Sequence, residues 1–221
     1  MAHSLEITNI RDITHDVKEY TVQKPDDFTF KPGQATEVAI DKEGWQDKKR
    51  PFTFTSLPEE DTLKFTVKSY PDHQDVTMEF EKLKEGDKLL VDQPWGAIAY
   101  KGKGVFIAGG AGVTPFLSIF KDLYRKGEIE GNTLLFSNKT GKDVIHESFL
   151  QDILGENFIS TLTREEIAGH RHGRINMEFI QKHIEDYSQH FYVCGPEAMV
   201  KELNVVLENL GANTESIVFE K

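Results

Sequence analysis

The spacing of apolar side chains divides the chain into two halves of different character. In the first hundred residues, short segments alternate polar with apolar or β-branched side chains, and turns rich in Pro, Gly and Asp separate them. A period of two indicates strands, and several short strands at this spacing favour an antiparallel barrel or sandwich. The predicted strands cover residues 5–10, 17–22, 36–40, 51–56, 63–67 and 88–91.

One predicted helix interrupts these strands. Thr77 is a suitable N-cap, because its hydroxyl can accept a hydrogen bond from a backbone N–H of the first turn. Glu79 and Glu81 follow it, where negative charge favours the positive end of a helix. Gly86 stands just beyond the expected end, as glycine commonly does.

The pattern changes after residue 104. Residues 105–108 form a continuous apolar run, typical of a strand buried on both faces, and a helical repeat of apolar residues follows as far as Gly127. Strands and helices then alternate, which predicts a parallel sheet with right-handed crossovers. The remaining predicted strands cover residues 133–136, 158–162 and 191–193, and the remaining helices cover residues 147–154, 177–183 and a segment that ends before Gly211.

We therefore expect a two-domain protein. Residues 1–99 should form an antiparallel barrel or sandwich, and residues 100–221 should form an α/β domain around a parallel sheet. Hydrophobic residues make up 38% of the chain and aromatic residues 10%, which is enough apolar material for packed cores and excludes global disorder.

Charge and cysteine content narrow the function classes. The formal net charge of −11 argues against a nucleic-acid binder, because phosphate-backbone affinity depends on clustered Lys and Arg. The single cysteine, Cys194, excludes an internal disulfide and a cysteine-ligated iron–sulfur cluster. The sequence carries no signal-peptide pattern at its start and no apolar stretch that could span a bilayer, so we expect a cytoplasmic protein without a membrane span.

A glycine-rich run, AGGAGVTP from Ala108 to Pro115, joins the first strand of the second half to its first helix. Glycine lets the backbone approach a bulky ligand, Thr114 can cap the helix, and Pro115 fits its first turn. Free N–H groups and the helix dipole then favour a phosphate or diphosphate. The run is neither the G-x-G-x-x-G fingerprint nor a P-loop, and a tight turn without any ligand is an equal alternative.

A second turn, Cys194-Gly195-Pro196, repeats this arrangement at the end of another strand. In open parallel sheets ligands bind outside the carboxyl ends of the strands, so two permissive turns on that side favour a dinucleotide. The alternative for Cys194 is an inert buried thiol.

The strand RPFTFTS, which begins at Arg50, is the candidate in the first half. Arg50 could hold a phosphate in a bidentate manner, Phe52 could lie against a flat ring, and Thr53 could hydrogen-bond a ring nitrogen or carbonyl. The alternative is a core strand with an exposed arginine.

Taken together, these motifs resemble the ferredoxin–NADP(+) reductase superfamily, in particular its compact flavin reductases, over nearly the whole chain. The strand that begins at Arg50 is similar to the Arg-x-Tyr-Ser flavin signature. The segment from Gly110 to Pro115 is similar to the nicotinamide-nucleotide diphosphate loop, and the turn at Cys194 to the Cys-Gly-Pro turn that faces the nicotinamide.

The resemblance implies that residues 1–99 are an FAD-binding barrel, with FMN as the less favoured flavin, and that residues 100–221 are an NAD(P)-binding domain. Arg50 would clamp the flavin phosphate, Phe52 would contact the flavin, and Thr53 would sit near its reactive N5. Thr53 and Cys194 would be the catalytic residues, which orient and polarise. The other implied flavin-binding residues are Pro51, Val67, Lys68, Val76 and Thr77, and the implied nucleotide-binding residues are Gly110, Gly112, Val113, Thr114, Pro115, Arg164, Cys194, Gly195 and Pro196.

Four departures from the family pattern accompany these matches. Phe52 replaces the usual tyrosine, Gln74 replaces a glycine of the phosphate site, and Gln93 replaces the first glycine of the turn between the domains. The chain also stops before the terminal aromatic residue that often covers the flavin, and Phe219 is the possible substitute.

The implied reaction is hydride transfer from NADPH or NADH to bound FAD, followed by electron delivery to a separate flavodoxin or ferredoxin. Lys139 or Arg164 could bind a 2′-phosphate, and the alternative is that both are ordinary residues of a solvated loop. No acidic residue directly follows the second parallel strand to bind a ribose diol, which favours NADPH slightly. A free-flavin reductase and an electron-transfer subunit of a larger complex are the alternatives. His170 and His172 suggest a metal only weakly, so we expect none. The candidate basic face for an acidic partner consists of Lys42, Lys48, Lys49, Lys64 and Lys68.

Overall fold

The computed structural model describes residues 2–69, 76–96, 98–213 and 217–219. The chain forms two compact units, each with its own sheet and core. The first comprises Met1–Ala99 and Thr114–Asp122, and the second comprises Tyr100–Val113 and Leu123–Lys221.

The first unit is an antiparallel barrel, which is one of the two architectures that the alternating pattern predicted and the one that the resemblance implied. Its six strands lie in the order β4-β3-β6-β1-β2-β5. A bridge between Phe54 and Phe65 then joins the chain after β4 to β5, and the N–H of Thr55 donates to the carbonyl of Lys64 at 2.8 Å, so the sheet closes. The strands are β1 (His3–Thr14), β2 (Val17–Gln23), β3 (Ala35–Ile40), β4 (Arg50–Thr53), β5 (Thr62–Lys68) and β6 (Lys88–Val91).

Aromatic rings fill the barrel. The Phe54 ring is fully buried and stacks on Phe30 with 4.4 Å between centroids, while Phe28 and Phe65 contact it at 5.7 and 5.4 Å. Offset and edge-to-face ring pairs stabilise a core beyond the area that they bury. Phe28 and Phe30 lie in the segment between β2 and β3, Phe54 follows β4 and Phe65 lies in β5, so the ring contacts hold together parts of the chain that are distant in sequence.

Helix α1 (Val76–Phe80), which interrupts the strands of the barrel, is shorter than predicted. Thr77 lies inside its first turn rather than at the N-cap position, so the expected capping role is wrong. The helix ends well before Gly86, because the carbonyl of Phe80 accepts from the Tyr20 hydroxyl at 2.7 Å and from the Leu83 N–H at 3.1 Å. In a continued helix the Lys84 N–H would donate to the Phe80 carbonyl. It donates to a carboxylate instead, so the helix does not continue.

The second unit contains a six-stranded parallel sheet, also as predicted, in the order β10-β9-β8-β7-β11-β12. Two predicted helices have the expected limits, and the two-residue β10 was missed because it carries no apolar signal. In the described part of the chain, no helix is both long and apolar enough to cross a membrane. The elements are β7 (Gly104–Gly109), α2 (Thr114–Lys126), β8 (Thr133–Asn138), α3 (Glu147–Leu154), β9 (Phe158–Leu162), β10 (Arg171–His172), α4 (Met177–His183), β11 (His190–Cys194), α5 (Glu197–Asn209) and β12 (Ile217–Phe219).

Helix α2 follows a 3-10 turn over Gly110–Val113 and starts at Thr114, with Val113 at the N-cap position and no side-chain cap bond. The expected capping role of Thr114 is therefore wrong, because the chain is already helical one residue earlier. The first part of α2 groups with the barrel: Ser118 Oγ accepts from the Gly33 N–H at 3.0 Å, and Lys121 Nζ donates to the carbonyl of Thr55. Burial lowers the pKa of Lys121.

We expect Phe54→Ala to lower the free energy of unfolding of the barrel by about 3–5 kcal/mol, because it removes a fully buried ring that contacts three others. Both tryptophans, Trp45 and Trp95, lie in this unit, so urea unfolding followed by tryptophan fluorescence reports on it. The exposed change Glu6→Ala is the control and should alter stability by less than about 0.5 kcal/mol. A Phe54→Ala protein as stable as the control would contradict the closed, ring-filled barrel.

Candidate functional site

The parallel sheet has a topological switch point between β7 and β11. The chain runs from β7 to β8, β9 and β10 on one side of β7, and then crosses to β11 and β12 on the other. In such sheets the carboxyl ends of the two central strands border a crevice where ligands bind. Gly109 and Cys194 end these two strands, so both glycine-containing turns singled out in the sequence meet at the switch point.

The two turns are in backbone contact. A Cβ atom at Gly112 would overlap with the carbonyl of Cys194 and lie 2.7 Å from the Cα of Gly195. A Cβ at Gly109 would lie 2.5 Å from the sulfur of Met199. Gly110 has a φ of +54°, a conformation that favours glycine. Gly112 is therefore required by the close approach of the two turns, Gly109 by the side chain of Met199 and Gly110 by its backbone conformation.

The two helices that follow these turns differ in the charge of their first turns. No acidic residue occupies the first turn of α2, so its positive end is not neutralised locally, whereas Glu197 stands in the first turn of α5. Thr114 is half-buried at the start of α2, and the thiol-bearing Cys194 is only 6% exposed. A diphosphate at this edge would thus fit the α2 turn, and Cys194 would contribute mainly its backbone and bulk.

The strand β4 offers the second set of candidate groups. Along Arg50–Thr53 it pairs with β3, and among the described residues no second strand pairs with it before Phe54. Arg50 is half-buried, and its Nη1 donates to the carbonyl of Lys49 at 2.9 Å. Phe52 is half-buried with its ring 5.1 Å from that of Phe80, and Thr53 is 7% exposed.

Three of the other predicted flavin-binding residues have their side chains engaged in the barrel. The side chains of Val67 and Val76 are buried in its core, which leaves only their backbone for a ligand. Lys68 Nζ lies 2.7 Å from Asp16. Burial of Asp16 raises its pKa, but the hydrogen bonds from Lys68 and Thr14 outweigh this effect and lower the pKa of Asp16 below its usual value.

The remaining predicted flavin-binding residues of the barrel differ in their exposure to solvent. Pro51 is exposed, and Thr77 is half-buried with its carbonyl 3.4 Å from the Ser69 hydroxyl that donates to it. Gln74 lies outside the described residues, as does the side chain of Phe219, so their expected roles have no structural counterpart here.

The expected basic face is largely neutralised. Lys42, Lys49 and Lys64 lie 3.0, 2.6 and 2.7 Å from Asp87, Asp92 and Glu60, and Lys68 pairs with Asp16 as described. Lys48 sits over the Trp45 ring instead. Four of the five lysines thus have a carboxylate partner, which lowers the net positive charge of this surface, and their role as a docking face stays a prediction.

Two basic residues, Lys139 and Arg164, follow the ends of β8 and β9, and their backbones are hydrogen-bonded to each other. The Arg164 N–H donates to the carbonyl of Lys139 at 2.9 Å, and both side chains are exposed. The histidines of the weak metal motif are engaged separately: His170 Nδ1 lies 2.9 Å from Ser160 Oγ, and His172 Nδ1 lies 3.0 Å from the carbonyl of Glu165. This arrangement does not direct both rings at one ion.

Two features of these regions were missed in the sequence. Asn138, which ends β8, buries both polar atoms of its amide without a hydrogen-bond partner among the described residues. Trp95, 39% exposed, forms a two-bond bridge with Ala35, the residue that Thr53 faces from the other side. An aromatic residue inside the turn Gln93–Gly96 was the available signal for Trp95, and none marked Asn138.

We expect Gly112→Ala to lower the free energy of unfolding by about 1–3 kcal/mol, because the added Cβ overlaps backbone that cannot rotate away. Gly195→Ala is the matched control: its Cβ would meet the nearest atom, Gly109 N, at 3.1 Å and should cost less. Urea unfolding followed by circular dichroism measures both. Equal stability of the two variants would contradict the close contact of the turns.

Comparison with known proteins agrees with this geometry. Residues 4–100 match the family of oxidoreductase FAD-binding domains, and residues 106–204 match the family of oxidoreductase NAD-binding domains. A ferredoxin NADP+ reductase from Neisseria gonorrhoeae, solved with bound FAD and NADP, superposes with a TM-score of 0.87 at 21% identity, covering 99% of this chain and 98% of that one.

Curated relatives are longer than this chain. The ferredoxin--NAD(P)(+) reductase component of the naphthalene 1,2-dioxygenase system of Pseudomonas putida is 26% identical over 214 residues, which is 92% of this chain and 64% of the relative. A flavohemoprotein of Bacillus cereus is 26% identical over 222 residues, or 89% of this chain and 55% of the relative. The two family models, the barrel followed by a parallel sheet and the paired turns lead to one conclusion: the chain belongs to the ferredoxin–NADP(+) reductase-like superfamily.

Proposed function

We propose that this chain is an NAD(P)H-dependent flavoprotein reductase, which oxidises a reduced nicotinamide nucleotide through FAD and passes electrons to a separate acceptor such as ferredoxin or flavodoxin. The observation that carries the proposal is the contact between the Gly112 and Cys194 turns at the switch point, in a chain whose other half is an FAD-binding domain. We further propose that residues 1–99 hold FAD and residues 100–221 hold the nucleotide.

The flavin fits the groups on β4. Arg50 would neutralise the flavin phosphate, Phe52 would lie against the ring system, and Thr53 would orient the ring edge with its hydroxyl. The free strand edge beside a half-buried aromatic ring and an arginine supports this fit. Bound FAD supplies the ability to take up two electrons from a nicotinamide and to release them singly. Pro51, Lys68, Val67, Val76 and Thr77 complete the proposed flavin-binding set, the two valines through their backbone.

The nucleotide fits the α2 turn. The N–H groups of Gly110, Gly112 and Val113 and the hydroxyl of Thr114 would bind the diphosphate at the positive end of α2, and Pro115 fixes the first turn. Cys194, Gly195 and Pro196 would border the nicotinamide. Because the Cys194 thiol is buried, its contribution is to orient the ring and exclude water, and no general acid or base is required of it.

NADPH is the preferred nucleotide in this proposal. Lys139 and Arg164 lie in adjacent positions at the strand ends, and neither has an ionic partner among the described residues. Two such cations can bind a 2′-phosphate that NADH lacks. No acidic residue directly follows β8 to hydrogen-bond a ribose diol.

A ferredoxin-type acceptor is supported by relatives whose names specify ferredoxin, such as the Pseudomonas putida component. The carboxylate partners of the barrel lysines limit the attraction of this surface for an acidic partner. A cytoplasmic location belongs to the same proposal, because reduced nicotinamide nucleotides are supplied there, and cell fractionation tests it.

A free-flavin reductase is the second candidate. Phe52 lacks the hydroxyl of the family tyrosine and Lys68 is engaged with Asp16, which leaves fewer polar contacts to retain a flavin. A colourless purified protein that reduces added flavin would favour this candidate, whereas a yellow protein bleached by anaerobic NADPH supports the lead proposal. A subunit that only relays electrons would show negligible turnover until its partner chain is added.

We expect Arg50→Ala to lower the flavin content of the purified protein at least several-fold, because a bidentate phosphate contact is lost. Absorbance near the flavin maximum relative to protein concentration measures this. Lys48→Ala removes a neighbouring exposed positive charge and should leave the content unchanged. Equal yellow colour of the Arg50→Ala variant and the wild type, at equal yield, would count against the flavin assignment.

A further inference from the structure

Strand β8 has a buried asparagine at each end, and the two side-chain amides differ in their hydrogen bonding. Asn132, which directly precedes the strand, is fully buried. Its Oδ1 accepts from the Gly104 N–H at 3.2 Å, and its Nδ2 donates to the carbonyl of Ile129 at 3.0 Å. Asn138, which ends the strand, is 6% exposed, and neither its Oδ1 nor its Nδ2 has a hydrogen-bond partner among the described residues. The amide at the amino end thus holds the fold together, whereas the amide at the carboxyl end makes no such contact.

The backbone of Asn138 is firmly held, so the unbonded amide does not result from a loose end of the strand. Its carbonyl accepts from the Thr163 N–H at 2.9 Å and from the Thr163 hydroxyl at 3.3 Å, and the residue pairs with Leu162 of β9. A buried amide without partners costs free energy, and natural proteins tolerate such a cost mainly at functional sites. The position of Asn138 in the sheet indicates which site this is.

The unbonded amide belongs to the edge of the sheet where the nucleotide is proposed to bind. Gly109 of β7 pairs with Ser137 of β8, so the next residues along the two strands, Gly110 and Asn138, leave this edge at the same level. The 3-10 turn Gly110–Val113 is in contact with β8. A Cβ atom at Gly110 would have no neighbour within 4 Å, so the space beside this turn is open.

The chemistry of the amide selects the part of a nucleotide that it can bind. An asparagine amide offers two donors on Nδ2 and an acceptor on Oδ1, and in Asn138 both atoms lack a partner among the described residues. Phosphate oxygens only accept hydrogen bonds, so a diphosphate alone would leave Oδ1 unsatisfied. A sugar hydroxyl both donates and accepts, and in a dinucleotide a ribose is attached directly to the diphosphate.

Rotation of the side chain gives the amide access to a ligand. Both polar atoms of Asn138 are buried in the structure, but a turn about the side-chain bonds breaks no hydrogen bond to the described residues. The amide of Asn132 would lose its partners in the same movement. An amide without partners therefore turns towards a hydroxyl at low cost, and it gains hydrogen bonds when it does so.

We infer that Asn138 is a nucleotide-binding residue whose amide forms hydrogen bonds with the 3′-hydroxyl of the adenosine ribose of NADPH or NADH. The inference rests on the proposed function, and deepens it by adding a side chain to a site that otherwise consists mainly of backbone N–H groups. The 3′-hydroxyl is the partner because Lys139, the next residue, is proposed for the 2′-phosphate. Both nucleotides carry this hydroxyl, so Asn138 contributes to affinity and not to the preference between them.

Titration calorimetry of the flavin-loaded protein tests this contact with two probes. Adenosine 5′-diphosphate carries the 3′-hydroxyl, 3′-deoxyadenosine 5′-diphosphate lacks only that group, and the bound flavin keeps both probes out of the flavin site. We expect the wild type to bind the deoxy compound about tenfold more weakly, the change that the loss of one or two hydrogen bonds produces. Asn138→Leu should bind both compounds with the lower affinity, so that the two dissociation constants become equal.

Stability distinguishes a ligand-binding amide from a structural one. Leucine is close to asparagine in shape and forms no side-chain hydrogen bond, so Asn138→Leu should raise the urea midpoint of unfolding or leave it unchanged. Asn132→Leu is the matched control: it removes an amide that has partners, and it should lower the midpoint while keeping the difference between the two probes. If a leucine variant does not fold, the alanine variant of the same residue replaces it in the calorimetry.

The possible outcomes separate this inference from the proposed function. If the wild type binds both probes equally, Asn138 has no role at the ribose, and the nucleotide assignment stands. If the wild type binds neither probe, the nucleotide assignment fails, and the role of Asn138 fails with it. A difference between the probes that persists in Asn138→Leu, or a midpoint that falls as far as in Asn132→Leu, would also overturn the inference.

Discussion

The backbone contact between the Gly112 turn and the Cys194 turn is the constraint on which the nucleotide-binding half depends. β7 and β11 are neighbours in the sheet, and their carboxyl ends lead into turns that approach so closely that a Cβ atom at Gly112 would overlap the carbonyl of Cys194. The two helices that follow these turns start at the same edge of the sheet. Because Glu197 occupies the first turn of α5, the α2 turn remains the favourable position for negative charge.

Basic side chains are paired with carboxylates in the barrel, whereas two basic side chains of the α/β unit are exposed without such partners among the described residues. In the barrel, lysines that a sequence suggests as a docking face are paired with carboxylates, for example Lys49 with Asp92. In the α/β unit, Lys139 and Arg164 are exposed beside each other, while the nearby carboxylate of Glu165 is bound to a backbone N–H. An acidic protein can therefore present a local cationic site, provided that its neighbouring carboxylates are bound elsewhere.

Periodicity predicted most of the fold, because strand and helix patterns are local properties of the sequence. α3 and α4 have their predicted limits, whereas Thr77 and Thr114 were wrongly expected to be caps. In both cases the helix boundary depends on neighbouring backbone: the Phe80 carbonyl is taken by Tyr20, and the turn before Thr114 is already helical. The candidate site motifs were also recognisable in the sequence. Contacts such as that of Lys68 with Asp16 could not be predicted, because they join residues that are distant in sequence.

Most of the candidate groups at the nucleotide crevice are backbone atoms, so the side chains there can vary without loss of these groups. A backbone N–H donates equally well whatever side chain the residue carries, so the identity of Ala111 or Val113 matters only through packing. The glycines matter because an added carbon would separate the turns. Selectivity between nucleotides must then come from outside this crevice, from side chains such as Arg164, whose positions depend on loop-to-loop contacts rather than on the strands themselves.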